Sequence, residues 1–266
     1  MEKYVPYDIY CRLKEDFSYV QDNIGECLGV VLRGSQNYNI SDEHSDIDTI
    51  AIVIPNFDDY CLNKPPINYT IDFNNGKVEV KDVRLVNSLL KKQNINTLEI
   101  LFTHFVFMSP TYGELFEPFF DKRDRIARYN SKSLLNGVVG CIHQVVHDIL
   151  TKSAYVDPDN CKKVAKSYSH LLRYFHFLQN YVNGIPFKEC LVIEDEYESD
   201  YLVSVKRGNS FTDKEARYVA MFCDEEAIKL RDKFLNNPVY FDDKQVEKIM
   251  DDTVKNIIFT KFREEM

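Results

Sequence analysis

The chain has no Cys-x-x-Cys pair, no apolar stretch of membrane-spanning length, no internal repeat and no low-complexity segment. The seven cysteines (Cys11, Cys27, Cys61, Cys141, Cys161, Cys190 and Cys223) are odd in number and lack metal-type spacing. That argues against a disulfide framework and a structural zinc site, and points to a reducing cytoplasm. The opening residues, MEKYVPYDIYCRLKEDF, carry no apolar core of a signal peptide. Without a run of about 20 apolar residues, no membrane span is expected. Three common chemical signatures are also missing: the GxxxxGK[ST] phosphate loop, the GxGxxG dinucleotide turn and the GxSxG nucleophile elbow.

Positive charge is in short supply. Against 42 Asp and Glu stand 33 Lys and Arg, a net charge of -9. An acidic surface repels nucleic acid, so a dedicated DNA-binding protein is disfavoured. An enzyme that touches one RNA end is not. Hydrophobic residues at 44% and charged residues at 28% are ordinary for a globular protein. The 266 residues suit one large domain or two small ones.

The pattern along the chain predicts an α/β (α+β) protein in two parts. Residues 7 to 26 have helical spacing, and Leu28 to Leu32 read as a buried strand ending at Arg33-Gly34-Ser35. After the turn formers QNYNISDEHS, the β-branched run DIDTIAIVIP reads as a second strand that Pro55 ends. Residues 56 to 67 read as a loop. NYTIDFNNGKVEVKDVRL predicts a β-hairpin, with Asn75-Gly76 supplying positive φ at the turn. A helix over Leu85 to Lys92, a helical turn over 97 to 102 and a short strand over 105 to 108 follow. Beyond residue 120 the character turns helical, with segments 131–152, 160–183, 212–235 and 243–264. Asp213 and Asp242 are start signals, and Asn183-Gly184 is a stop. The expected domains are 1–122, a mixed sheet with helices, and 123–266, a helical domain.

The strongest chemical signal is GSQNYNISDEHSDIDTIAIVIP. A strand ends in Gly-Ser, a polar loop follows, and Asp-x-Asp opens the next strand. Residues i and i+2 of a strand share a face, so Asp46 and Asp48 project together while Ile47 turns to the core. Two carboxylates on one face suit a hard, oxygen-binding Mg²⁺ ion. Glu79 in KVEVKDV, alternating with Val78 and Val80, can complete a site for two ions, which in such sites lie about 3.5–4 Å apart. Gly34 lets backbone approach a phosphate, and the amides and hydroxyl at Ser35 can donate to it. Asp82 is the competing third carboxylate, but it reads better as the cap of the following helix.

Gly-Ser followed by Ser-Asp-x-Asp, then an acid on a later strand, resembles the DNA polymerase β nucleotidyltransferase superfamily. It looks most like a group of predicted bacterial and phage nucleotidyltransferases. RGSQNYNISDEHSDIDTIAIVIPNFDD matches their first two motifs, and GKVEVKDVRLVNSLLKKQNINTLEILFT resembles the third. The likeness covers roughly residues 25 to 105. Asn39 stands where the group usually has glycine, and Glu79 where it usually has aspartate. Asparagine tolerates left-handed geometry, so the turn can survive. In the helical half, KSYSHLLRYF resembles a Lys-x-x-x-His-x-x-Arg helix of the same group. It would give Lys166, His170 and Arg173, on one helix face, a role in binding nucleotide triphosphate or an acceptor phosphate. The plain alternative is a solvated basic face.

Other residues carry weaker signals. His143 and His147 are four apart, as helical metal ligands often are, but no glutamate follows His143, and packed helix histidines are the simpler account. Asp42, Glu43 and His44 read as a solvated loop. Lys81 and Arg84 can reach a phosphate or form ion pairs. Most of the 17 tyrosines and 18 phenylalanines belong to the core, and one can stack on a base.

The resemblance implies a metal-dependent nucleotidyltransferase using an NTP such as ATP with two Mg²⁺ (or Mn²⁺) ions. Asp46, Asp48 and Glu79 would be both catalytic and metal-binding; Gly34 and Ser35 would bind nucleotide. The acceptor hydroxyl is open among a protein side chain, an RNA end and a small molecule. The alternatives are a catalytically degenerate nucleotide- or partner-binding protein and a helical interaction protein on an α/β scaffold.

Overall fold

The computed structural model describes residues 7–43, 45–73, 75–151, 158–236 and 244–265. The class is α+β, as the pattern predicts. Two compact units form: Met1–Asn37, His44–Asn130 and Phe241–Met266 make the first, and Tyr38–Glu43 with Ser131–Tyr240 the second. The units are therefore interleaved in sequence rather than the consecutive stretches 1–122 and 123–266.

In the first unit, α1 (Tyr7–Asn23) precedes β1 (Cys27–Arg33), and β2 (Asp48–Val53) precedes the short helix α2 (Phe57–Cys61). The hairpin β3 (Asn68–Phe73) and β4 (Gly76–Asp82) leads into α3 (Val83–Lys91), α4 (Ile95–Leu98) and β5 (Val106–Met108). Short helices α5 (Glu117–Asp121) and α6 (Arg123–Ile126) close this stretch. The sheet order is β3-β4-β2-β1-β5, with β2 and β4 parallel and the other pairs antiparallel.

Burial explains the strand sequences. β1 and β2 are central and covered on both faces, so they read as continuous apolar runs. β4 alternates, with Val78 and Val80 buried and Lys77, Glu79 and Lys81 on the other face. Val78 and Val80 join Leu32, Ala51 and Val53 in a core against Ile9, Leu13 and Val20 of α1. The opposite face carries Arg33, Asp48, Ile50 and Glu79, and α3 packs on that side.

The hairpin forms as expected, with Gly76 at its turn in positive φ. Gly76 has φ +123° and pairs with Phe73 as the first residue of β4. Asn74 lies outside the described residues. Glycine is needed because a Cβ here would lie 2.3 Å from the Ile47 carbonyl oxygen. Asp82 caps α3: its carboxylate accepts the Arg84 amide at 2.8 Å and takes the Arg84 guanidinium as well. This is the capping role read from the sequence, and it makes Arg84 an ion-pair partner. The stretch 56–67 is not all loop, since α2 lies within it, capped by Asn56.

The helix α12 (Lys244–Glu265) belongs to the first unit, where Asp251 accepts from Asn87 at 2.9 Å and from Lys91 at 2.7 Å on α3. Asp242, read as its start signal, is outside the described residues.

The second unit is helical: α7 (Ser131–Thr151), α8 (Pro158–Val182), α9 (Phe187–Leu191), α10 (Glu196–Lys206) and α11 (Asp213–Asn236). α7, α8 and α11 pack on one another, and the buried residues of α7 (Leu134, Leu135, Val138, Ile142, Val146, Ile149) repeat at helical spacing. Gly184, at φ +83°, ends α8 as expected, with the Ile185 amide bonded back to the Asn180 carbonyl at 3.1 Å. At α11 the capping oxygen is Thr212 Oγ1, 3.1 Å from the Glu215 amide, and Asp213 is the first helical residue.

Gly76→Ala and Gly34→Ala separate backbone strain from collision. Both positions have positive φ, but a Cβ at Gly34 meets nothing within 4 Å. Strain alone costs on the order of 1–3 kcal/mol. Denaturant midpoints are expected to fall in both variants and clearly further for Gly76→Ala; equal falls would mean that the Ile47 contact is easily relieved.

Candidate active site

The candidate residues of the first unit gather where β1 ends and β2 begins. These strands are antiparallel, and Arg33 pairs with Asp48. Gly34 turns the chain at φ +93°, and a 3-10 turn runs over Ser35–Tyr38. Asn37 holds that turn: its amide side chain donates to the Leu32 carbonyl at 2.9 Å and accepts from Thr103 Oγ1 at 2.7 Å. The Gln36 side chain donates to the Asp46 carbonyl at 2.8 Å, tying the Gly-Ser turn to the Asp-x-Asp segment.

Ile47 is buried at 8% exposure, as alternation predicts, with Asp46 exposed and Asp48 half-buried on either side. β2 starts only at Asp48, so Asp46 sits on the loop leading in. The segment is fixed by the hairpin. The Ile47 amide donates to the Asn75 carbonyl at 3.1 Å, and the Lys77 amide donates to Asp48 Oδ1 at 3.0 Å. Arg12 of α1 donates to the same Asn75 carbonyl at 3.2 Å. Arg12 also grips buried Asp16 through Nε at 2.8 and 2.9 Å, and Thr49 Oγ1 donates to Asp16 at 2.7 Å. Burial raises the Asp16 carboxyl above its usual range against the pull of Thr49 and Arg12.

Glu79 shares the sheet face of Asp48, two positions further along β4. Parallel pairing sets Glu79 beside Ile50, not beside Asp48. Its carboxylate lies between two cations: Arg33 Nη1 makes a short contact with Oε1, and Lys81 Nζ is 2.9 Å from Oε2. Burial pushes the Glu79 carboxyl up, but the Arg33 charge and the hydrogen bond and charge of Lys81 outweigh it and hold it below its usual value. Arg33 Nε is also 3.8 Å from buried Glu99.

These oxygens have the chemistry Mg²⁺ prefers. Among the described residues, however, no three His, Cys, Asp or Glu side chains are gathered as a metal site. Asp46 and Asp48 offer carboxylate oxygens at the strand entrance. Each Glu79 oxygen already meets a cation, Arg33 at Oε1 and Lys81 at Oε2, and these compete with a metal ion for it.

Lys166, His170 and Arg173 lie on α8, in the second unit. Lys166 is exposed and His170 half-buried. Arg173 is 8% exposed, its guanidinium 4.0 Å from the ring centre of Tyr38 and 4.5 Å from that of Tyr174. Among the described residues neither Lys166 nor Arg173 has a carboxylate at ion-pair distance. The His170 pKa drops to about 3, through burial first and then the charges of Arg173, Lys166 and Lys206. Lys166 thus lies on a solvated face while Arg173 is buried, and Lys206 and the two tyrosine rings, which the sequence reading did not single out, lie near them. Arg33 was likewise missed, although it adjoins Gly34 on the strand.

The remaining candidates fall elsewhere. Asn39 has φ +63°, the left-handed turn that the group fills with glycine, and its side chain donates to the Ile193 carbonyl at 3.1 Å. Asp42 is not simply solvated, because Arg207 Nε lies 2.9 Å away; His44 is outside the described residues. His143 and His147 are exposed rather than packed, and His143 Nδ1 is 3.2 Å from Asp224.

In comparisons with known proteins, no family model and no curated protein matches the chain.

Two pH dependences follow. Glu79, with its lowered pKa, contributes stability that is complete above 4.5 and is lost as pH falls through its folded value. Glu79→Gln is expected to flatten the acid limb of a stability–pH curve, and an unchanged limb would show that the two ion pairs contribute nothing. His170, lowered to about 3 from 6.5, makes the folded state bind fewer protons than the unfolded one, so stability falls as pH drops through 6.5. Its ring resonances are expected to show no inflection between about pH 8 and 5; a normal imidazole titration would contradict this.

Proposed function

We propose that the chain is a metal-dependent nucleotidyltransferase of the polymerase β type, transferring a nucleoside monophosphate from an NTP to an acceptor hydroxyl. The observation that carries this reading is positional. The Gly-Ser turn ends β1, the Asp-x-Asp segment enters β2 beside it, and Glu79 lies on the same face of the neighbouring strand. The left-handed Asn39 supports it, since the one departure in the turn motif keeps the required backbone geometry.

In this reading Gly34 and the amides and hydroxyl at Ser35 hold the triphosphate. Asp46 and Asp48, joined by Glu79, would hold two Mg²⁺ or Mn²⁺ ions, which when bound supply neutralising charge to the triphosphate and acidify the acceptor hydroxyl. Glu79 orients the acceptor and takes its proton as the acceptor oxygen bonds to the α-phosphorus and pyrophosphate leaves. Lys166, His170 and Arg173 contribute a separate cationic group for a phosphate. A neutral His170 acts there as a hydrogen-bonding group rather than a charge.

The acceptor is a protein side chain, an RNA end or a small molecule; the net charge of -9 favours one that is not a long nucleic acid. A cytoplasmic setting fits the cysteine usage. No helix among the described residues is long and apolar enough to cross a membrane.

A second reading, a nucleotide-binding protein without turnover, is favoured by one observation. Glu79, held by Arg33 and Lys81, is a poor base and a poor ligand in that arrangement.

Isothermal titration of each NTP with Mg²⁺ or Mn²⁺ into the wild type and an Asp46→Ala/Asp48→Ala double variant tests the site. Metal-dependent binding is expected in the wild type alone. Equal binding in both proteins, or none, would overturn the nucleotide site. Binding without metal-dependent pyrophosphate release across an acceptor panel would favour the second reading.

A further inference from the structure

On the α3 side of the sheet the first unit has a cleft of about 310 Å³. Arg33, Glu79 and Lys81 line it with charge, Leu85 and Leu89 of α3 with apolar surface, and Asn94 and Asn96 with amides. The volume is at the lower end of small-molecule sites, which span roughly 300–1,000 Å³. It suits a compact molecule or a single group of one.

The charges that line the cleft are uneven, although buried Glu99, 3.8 Å from Arg33 Nε, lies close by. Two cations line the cleft with one carboxylate between them, and all three side chains are partly buried, at 23% exposure for Arg33, 29% for Glu79 and 14% for Lys81. Glu99, the other carboxylate near Arg33, is 2% exposed and does not line the cleft. A guanidinium fork and an ammonium converging on one oxyanion make a receptor for carboxylate or phosphate, whichever molecule supplies it. Asn94 adds a donor, because its side-chain oxygen is committed to the Thr97 amide at 3.1 Å, leaving the NH₂ group to bond elsewhere.

We propose that this cleft binds a small molecule bearing a carboxylate or phosphate, and that the Glu79 side chain holds the place of that anion between Arg33 and Lys81 until it arrives. The carbon skeleton lies against Leu85 and Leu89, and the Asn94 and Asn96 amides fix its polar substituents. When the ligand anion takes the two cations, the Glu79 carboxylate is released. The inference deepens the reading above by naming the class of acceptor. It rests on that reading only for the acceptor role, since the binding itself needs neither metal nor nucleotide.

The test is calorimetric titration, with amide NMR of Asn94, Asn96 and Thr97, in Tris chloride stripped of divalent metal. Malate is the carboxylate probe and glycerol 3-phosphate the phosphate probe. Saturable binding of at least one is expected, tighter by about tenfold in Glu79→Gln, where the internal competitor loses its charge, and weaker by about tenfold in Lys81→Gln. Glu79→Ala removes the same charge by a different route and must behave as Glu79→Gln does. The probe that gains identifies the anion class. Absence of binding by both probes in both Glu79 variants overturns the proposal, as does weaker binding in those variants than in the wild type. The Asp46→Ala/Asp48→Ala protein is expected to bind the probe normally, so loss of metal–NTP binding there and loss of probe binding in Lys81→Gln report on separate claims.

Discussion

The carbonyl of Asn75 accepts from two directions: the Ile47 amide at 3.1 Å and the Arg12 guanidinium at 3.2 Å. Through it, the tip of the β3–β4 hairpin holds the segment carrying Asp46 and Asp48, and α1 holds the hairpin. The next residue has to be glycine, because the Ile47 backbone passes where a Cβ would project. Strand register then follows. Once Ile47 is pinned and buried, Asp48 pairs with Arg33, and the parallel alignment of β2 with β4 puts Glu79 on the Asp48 face. A slip of one residue in β4 would turn Glu79 into the core and Val78 and Val80 out of it.

On the underside of the same strand, Thr49, Asp16 and Arg12 form a buried polar chain. Such a chain contributes little net stability when satisfied, but breaking it leaves a buried charge. Its consequence is geometric. Arg12 reaches Asp16 and the Asn75 carbonyl together, so the helix, the hairpin tip and β2 are fixed as one body. The candidate carboxylates rest on that body rather than on a loose loop.

Much of this was legible in the sequence, because period-2 alternation and turn chemistry are local. The burial of Ile47, the alternation around Glu79, the Asp82 cap, the Gly184 stop and the long helices all follow from neighbours a few residues apart. What was not legible depends on distant partners. Nothing near Arg33 in sequence announces that it meets Glu79, 46 positions later. The grouping of α12 with the sheet through Asp251 spans 160 residues and more. α10 escaped because EYESDYLVSVK carries too much acid to show an apolar stripe, although Asp195 caps it through the Glu198 amide at 2.8 Å. Arg173 could be placed on a helix face, but its position between two tyrosine rings could not.

The two arginines face opposite electrostatic situations. Among the described residues Arg33 has two carboxylates within reach, Glu79 and Glu99, and Arg173 has the Tyr38 and Tyr174 rings. A ring quadrupole attracts a cation without neutralising it, so Arg173 keeps its charge although it is buried. A carboxylate neutralises its partner and must be displaced before that partner can bind anything else. An anion arriving at Arg33 exchanges with Glu79. That exchange links occupancy of the cleft to the freedom of the one carboxylate that the Asp-x-Asp pair lacks. A Glu79 side chain tied to two cations is a weaker ligand and base, and an anion that takes those cations would strengthen it. Under the nucleotidyltransferase reading, the ion pairs would keep the site incomplete until the acceptor is in place.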